Sequence, residues 1–259
     1  MNNKTLQAIL IVGLIIICLI ASLAVLFSFM GTDIKEKLTF IAPQENLAEK
    51  QAKEEEQALL DANQDIMEQA EQADYQSIDE INKDDHLLIE TSGPVEIILY
   101  NDFDGPFFTK IYDTIKQVEE EFSDQVTIAY RHFPLTIYPM SWLAAQAAEC
   151  AAEQGQFQAI YDKLYELKKD NLMSIEQFEQ SASELELDED QFNQCLAYEK
   201  YQEKISQQLQ QAKDAGVIGA PAIFINGEHY AGAMPFEDYT TQEGNLMAGM
   251  KSVIERHLE

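Results

Sequence analysis

Between Val95 and Phe122 the chain runs from an apolar segment through a glycine–proline turn straight into a helix-like segment. Val95-Glu96-Ile97-Ile98-Leu99-Tyr100 has the β-branched and aromatic density of a strand. Asp102-Phe103-Asp104-Gly105-Pro106-Phe107-Phe108 cannot extend it, because proline brings no amide proton to a ladder and Gly-Pro marks a turn. From Thr109 to Phe122 the composition is that of a helix, and Val126–Arg131 is a second strand. The stretch therefore reads as a β-α-β unit, and the chain as an α/β protein with a tight turn at a helix N-terminus.

The remainder fits around that unit. Ala222–Ile225 and Glu228–Ala231 read as strands followed by a helix, a β-β-α half. Between the halves, from about residue 141 to 215, helix signals dominate and imply an insertion of four or five helices. Ser141 precedes an alanine-rich run ending at Gly155, as an N-cap and a C-terminal glycine would. Ser174-Ile175-Glu176-Gln177 and Asp188-Glu189-Asp190-Gln191 have capping-box spacing or close to it.

Upstream, residues 1–7 form a short flank, and Ala8 to Met30 is an apolar run without a charged side chain. Roughly 23 helical residues at about 1.5 Å each reach about 35 Å, enough to cross a bilayer. Apolar residues continue past Ala21-Ser22-Leu23-Ala24, and Cys18 lies among isoleucines, so an uncleaved anchor in the lipid bilayer is expected over a cleaved signal. Lys4 flanks one side and Lys35 and Lys37 the other, so charge counting leaves the orientation open. Residues 31–85 are rich in Glu, Gln, Asp and Ala. They read as a solvated helical or partly disordered spacer; a coiled coil that makes a homodimer is the alternative, with few apolar positions to form its seam. The net charge of −29 repels phosphate backbones, so no nucleic-acid partner is expected. A hydrophobic fraction of 46% leaves ample material for a core in residues 86–259.

Several segments together resemble the DsbA-type thioredoxin-fold family of thiol–disulfide oxidoreductases, in its membrane-anchored bacterial branch. They are Asp84-Asp85-His86 with Gly93-Pro94-Val95, the Asp102–Phe108 turn, Tyr130-Arg131-His132-Phe133-Pro134-Leu135, Glu149-Cys150-Ala151-Ala152-Glu153-Gln154-Gly155, and Gly216 to Gly227. Five matches in the right order, from Asp84 to about Phe236, imply a thioredoxin-like fold with two halves around a mixed sheet. The resemblance also implies a C-terminal domain outside the cytoplasm and an N-terminus inside it.

The departure falls on the reactive positions. The family carries Cys-Pro-Tyr/Phe-Cys in the turn, its first sulfur activated by the amides and dipole of a helix N-terminus. Gly105 and Phe108 stand at the two sulfur positions of Gly105-Pro106-Phe107-Phe108, so no catalytic residue is assigned. Asp102 and Asp104 read as helix N-terminal charges or caps, and Thr109 has no neighbouring base. Cys150 and Cys195 lie in different predicted helices; as free thiols they would be small hydrophobes, while the family and an oxidising compartment favour a structural disulfide. Pro221 matches the family's cis-proline, which is either a turn device or, with Ala220, a place where an extended peptide pairs. Phe103, Phe107 and Phe108 would complete an apolar patch for such a peptide or protein client, with Met234-Pro235-Phe236 nearby. None of the histidines has a metal spacing such as His-Glu-x-x-His, and no P-loop, dinucleotide glycine motif or nucleophile elbow occurs. No metal and no cofactor are expected. The expectation is an accessory or chaperone-like binding protein. The alternatives are disulfide exchange through Cys150/Cys195 or a cysteine-bearing partner, and a structural spacer or adaptor.

Overall fold

The computed structural model describes residues 78–241 and 244–259, with helical positions 50, 51, 53, 54, 57, 58 and 61 upstream. The chain divides into units of residues 1–58 and 59–259. The apolar run 8–30 lies outside the described residues, as does most of the spacer. Among the described residues no helix is long and apolar enough to cross a membrane.

A five-stranded mixed sheet has the order β1-β3-β2-β4-β5, with β1 at His86–Ile89, β2 at Val95–Asn101, β3 at Val126–His132, β4 at Ala222–Ile225 and β5 at Glu228–Ala231. Central β2 is almost wholly apolar because both of its faces are covered: Ile97 and Leu99 enter one core, Ile98 and Tyr100 the other. It pairs parallel with β3 and antiparallel with β4. The parallel pair requires a crossover, supplied by helix α1 (Phe108–Phe122), whose buried Ile111, Ile115, Val118 and Phe122 form one stripe. Strands β4 and β5 form a hairpin across Asn226-Gly227, both at positive φ (47° and 85°), where asparagine and glycine are the least strained residues.

Five helices form the insertion: α2 (Ser141–Ala152), α3 (Phe157–Lys169), α4 (Ile175–Glu184), α5 (Glu189–Ala197) and α6 (Gln202–Asp214). Ser174 and Asp188 cap α4 and α5, their side chains accepting from the amides of Gln177 and Gln191. A disulfide joins Cys150 of α2 to Cys195 of α5, with a Cα–Cα distance of 5.8 Å. A final helix, α7 (Met250–Leu258), packs Met250, Val253 and Ile254 into the larger core.

Three features differ from the sequence reading. The domain begins before residue 86: Ile78 and Ile81 pack on the smaller core, and the Glu80 carbonyl and Asp85 carboxylate hold Arg131, so residues 78–85 belong to the fold rather than to the spacer. Strand β1 was not anticipated, nor were the two-residue strands β6 (Tyr239–Thr240) and β7 (Leu246–Met247). Ser141 does not cap α2, because its hydroxyl is committed elsewhere.

Candidate functional site

The turn from Asn101 to Phe108 is held by its own carboxylates. Asp102 accepts at Oδ1 from the Asp104 amide (2.9 Å), and at Oδ2 from the Leu135 amide (2.8 Å) and the Ser141 hydroxyl (2.7 Å). Asp104 accepts from the Met140 amide (3.0 Å) and pairs with Lys168 of α3 (2.8 Å). Neither carboxylate caps α1, whose N-terminus has no side-chain cap and no acidic residue in its first turn. The reading of Asp102 and Asp104 as charges on that helix is corrected: both tie the turn to the entry of α2. Burial pushes the Asp102 carboxyl up, opposed by the Leu135 and Ser141 hydrogen bonds.

Phe108, where the resemblance would place the second sulfur, is wholly buried, its ring edge-on to Phe103 (5.2 Å) and Tyr161 of α3 (5.7 Å). Phe103 stacks on Tyr130 at 4.9 Å. Phe107, Ala220 and Pro221 are buried as well. The candidates also fall on different sides of the sheet, with Phe103 and Phe108 in the larger core and Ala220 in the smaller. The expected apolar patch is therefore corrected. Its aromatic rings are core, because α3 closes over them. The Ala220–Pro221 bond is cis, and the Pro221 carbonyl accepts from the Gly232 amide (2.9 Å). Accessible apolar side chains occur instead at Ile137, in the loop from β3 to α2, and Ile218, three residues before the cis-proline. Sequence reasoning missed both; the only signal was an isoleucine in each of two loops otherwise marked by proline or glycine.

Chemically the turn offers structure without a nucleophile. Gly105 has no side chain, and a Cβ there would lie 3.1 Å from the Asp102 carbonyl oxygen. The Ser141 hydroxyl is spent on Asp102. Cys150, nine residues further along α2 than Ser141, sits about 13 Å away along the helix axis and is bonded to Cys195.

A second polar cluster was not legible as a unit. The Glu149 carboxylate oxygen Oε1 lies 2.8 Å from Nε2 of both His86 and His132. Lys204 of α6 reaches the same carboxylate at 2.9 Å and His86 Nε2 at 3.1 Å. Burial alone would raise the Glu149 carboxyl; hydrogen bonds from His132 and His86 outweigh it and hold the group well below the usual carboxylate range. Burial keeps the His132 imidazole below its ordinary value against the pull of Glu149. An ionised glutamate, a neutral His132 and a lysine counter-ion thus share one partly sealed site. The expectation of no metal grouping rested on local spacing alone. The structure brings together two imidazoles and a carboxylate that no local spacing marked.

Residues 81–242 match a family model described as thioredoxin. Oxidised BdbD from Bacillus subtilis superposes with a TM-score of 0.60 at 16% identity, over 71% of this chain and 98% of that one. The thiol-disulfide exchange protein alpha-DsbA2 from Wolbachia pipientis gives 0.50 at 20% identity, over 59% and 81%. Curated relatives include Na(+)/H(+) antiporter NhaA 1 of Salinispora arenicola, 28% identical over 64% of this chain and 25% of its own length. Na(+)/H(+) antiporter NhaA 3 of Salinispora tropica is 32% identical over 59% of this chain and 23% of its own. The chain thus spans about a quarter of the length of these antiporters.

Proposed function

The chain belongs to the thioredoxin family, and from that premise we propose that this DsbA-like protein is a membrane-anchored, extracytoplasmic binding factor that works without thiol–disulfide chemistry. The observation that carries the reading is Phe108. A ring with no exposed surface fills the place of one reactive sulfur, Gly105 supplies none at the other, and the cysteines of α2 and α5 are bonded to each other. What the fold still offers a client is exposed apolar surface at Ile137, in the loop that Leu135 ties to the turn through Asp102, and at Ile218, in the loop that leads to the cis-proline. An extended peptide segment laid across these two loops would bury apolar surface and find main-chain partners. Residues 8–30 would hold the domain at the bilayer.

Photo-crosslinkers placed at Ile137 and Ile218, with a control at exposed Leu172, test the reading. Capture of client protein at the first two positions and not the third is expected; equal capture at all three would remove the binding face. A second reading, exchange through Cys150–Cys195, draws on an open depression of about 470 Å³ that Cys195 helps line together with Glu153, Tyr198 and Lys200. It is tested by an insulin-reduction assay. Turnover abolished by Cys150→Ser would establish it and overturn the redox-silent reading.

A further inference from the structure

We propose that His86, His132 and Glu149 form a transition-metal site, with Zn²⁺ as its natural fit, whose place is held by the Lys204 ammonium when no metal is bound. Two imidazoles and one carboxylate are the donor set that suits zinc and exclude the oxygen-seeking Mg²⁺ and Ca²⁺. Each imidazole Nε2 lies 2.8 Å from Glu149 Oε1, and all three donor atoms fall within 4.8 Å of one another. Tetrahedral ligands at about 2.0–2.1 Å from zinc stand roughly 3.3 Å apart, so the carboxylate oxygen must part slightly from the imidazoles and the wider-spaced donors draw together.

Lys204 marks where positive charge is wanted. Its Nζ lies 2.9 Å from Glu149 and 3.1 Å from His86 Nε2, within the shell a bound cation would take. A buried carboxylate needs such a counter-charge. The lysine is also the least buried member, its side chain 24% exposed, and His86 comes next at 14%, against 2% for Glu149. The long lysine stem can withdraw to solvent, leaving a path past His86 and a fourth position for water. Packing confines the ligands to small movements: His86 is stacked on Phe157 at 3.8 Å, His132 is packed against Phe103 and Tyr130, and Glu149 adjoins the Cys150–Cys195 bond. His132 Nδ1 has no hydrogen-bond partner among the described residues, so no outer contact steadies that ligand. Affinity should therefore fall short of a dedicated structural zinc site.

Calorimetric titration of the full chain with Zn²⁺, and visible spectra with Co²⁺, test the assignment. One Zn²⁺ per chain and intense tetrahedral Co²⁺ bands are expected, with Mg²⁺ producing neither. His86→Ala, at a partly exposed position, should weaken binding by at least roughly tenfold. Lys204→Gln removes the competing charge and should tighten it by roughly tenfold or more. The same variant should melt lower than wild type without metal and recover with Zn²⁺. Absence of Zn²⁺ heat and Co²⁺ bands in both wild type and Lys204→Gln overturns the proposal. So does binding by His86→Ala as tight as wild type, since the acidic surface would then be the binder.

Discussion

Replacing Phe108 by alanine separates a core ring from a contact residue, because the two roles predict different observables. The ring has no exposed surface, and Phe103, Tyr112 and Tyr161 surround it at centroid distances of 5.2, 6.3 and 5.7 Å. Phe→Ala in such a setting costs about 3–5 kcal/mol, from lost transfer energy and an incompletely collapsed cavity. Edge-to-face pairs contribute about 0.5–1.5 kcal/mol each beyond area, and three of them place the cost in the upper half of that range. A domain of this size loses about 2–4 °C of Tm per kcal/mol, so a drop of at least about 8 °C is expected. Trp142, the only tryptophan, follows Ser141 at the start of α2, so its fluorescence reports unfolding of the anchored region. Phe108→Leu keeps an apolar side chain but forfeits the ring pairs and some volume, so its cost should be smaller than that of Phe108→Ala without vanishing. A destabilisation by Phe108→Ala below about 1 kcal/mol would falsify the placement of the ring in the core. Unchanged stability with lost client crosslinking would return it to the binding surface.

Removing the Cys150–Cys195 bridge as a double serine variant should cost about 4 kcal/mol by loop-closure entropy over its 45-residue separation; a chemical-denaturation midpoint that is the same with and without reductant would contradict this. Asp102→Ala strands the amides of Leu135 and Asp104 and the Ser141 hydroxyl, each buried partner costing about 1–3 kcal/mol. Hydrogen exchange should then rise first at the start of α2, and unaltered protection there would rule out the anchoring role. Stability should also fall on acidification. Burial lowers His229 to about 4, so below about pH 6.5 the unfolded chain binds a proton that the folded chain refuses, and this contribution is lost progressively toward pH 4. His132 acts in the same sense, and Glu149, held low, adds a loss below about pH 4.3. Asp102, pushed up by burial, opposes them above about pH 3.9, so the discriminating measurement is a difference: His229→Gln should show a shallower fall between pH 6.5 and 4 than wild type, and equal slopes would dismiss the buried imidazole as a cause.

The elements that were legible are those whose pattern is local. Strands β4 and β5 end where the apolar alternation and Asn226-Gly227 say they must, and Ser174 and Asp188 cap the helices that follow them. Strand β1 was not legible, because His86-Leu87-Leu88-Ile89 is short, irregular and defined only by antiparallel pairing with a distant β3. Ser141 has an N-cap's sequence setting, yet its hydroxyl goes to a carboxylate 39 positions earlier, a bond that no local rule anticipates. The same limit hid the His86–Glu149–His132 cluster, whose members are 63 and 17 positions apart and meet only because α2 packs over the end of β3. Phe108 reads as apolar from sequence, but only the closure of α3 decides that it faces inward.

The anchoring of the turn decides which side chains positions 105 and 108 accept. The contacts that position it do not use the side chains at 105 and 108: the Asp102 and Asp104 carboxylates reach outward to α2 and α3, and the main chain of the turn closes through the Gly105 amide and the Asp102 carbonyl. A glycine at 105 relieves crowding, since any Cβ would press on Asp102, the residue that carries the anchor. A phenylalanine at 108 adds apolar burial where a thiol would add little. Both residues therefore favour a tighter turn and a fuller core than cysteines at these positions would. On the proposed binding role, a client would have to be recognised through what lies outside the core, which puts the burden on the exposed loops of Ile137 and Ile218.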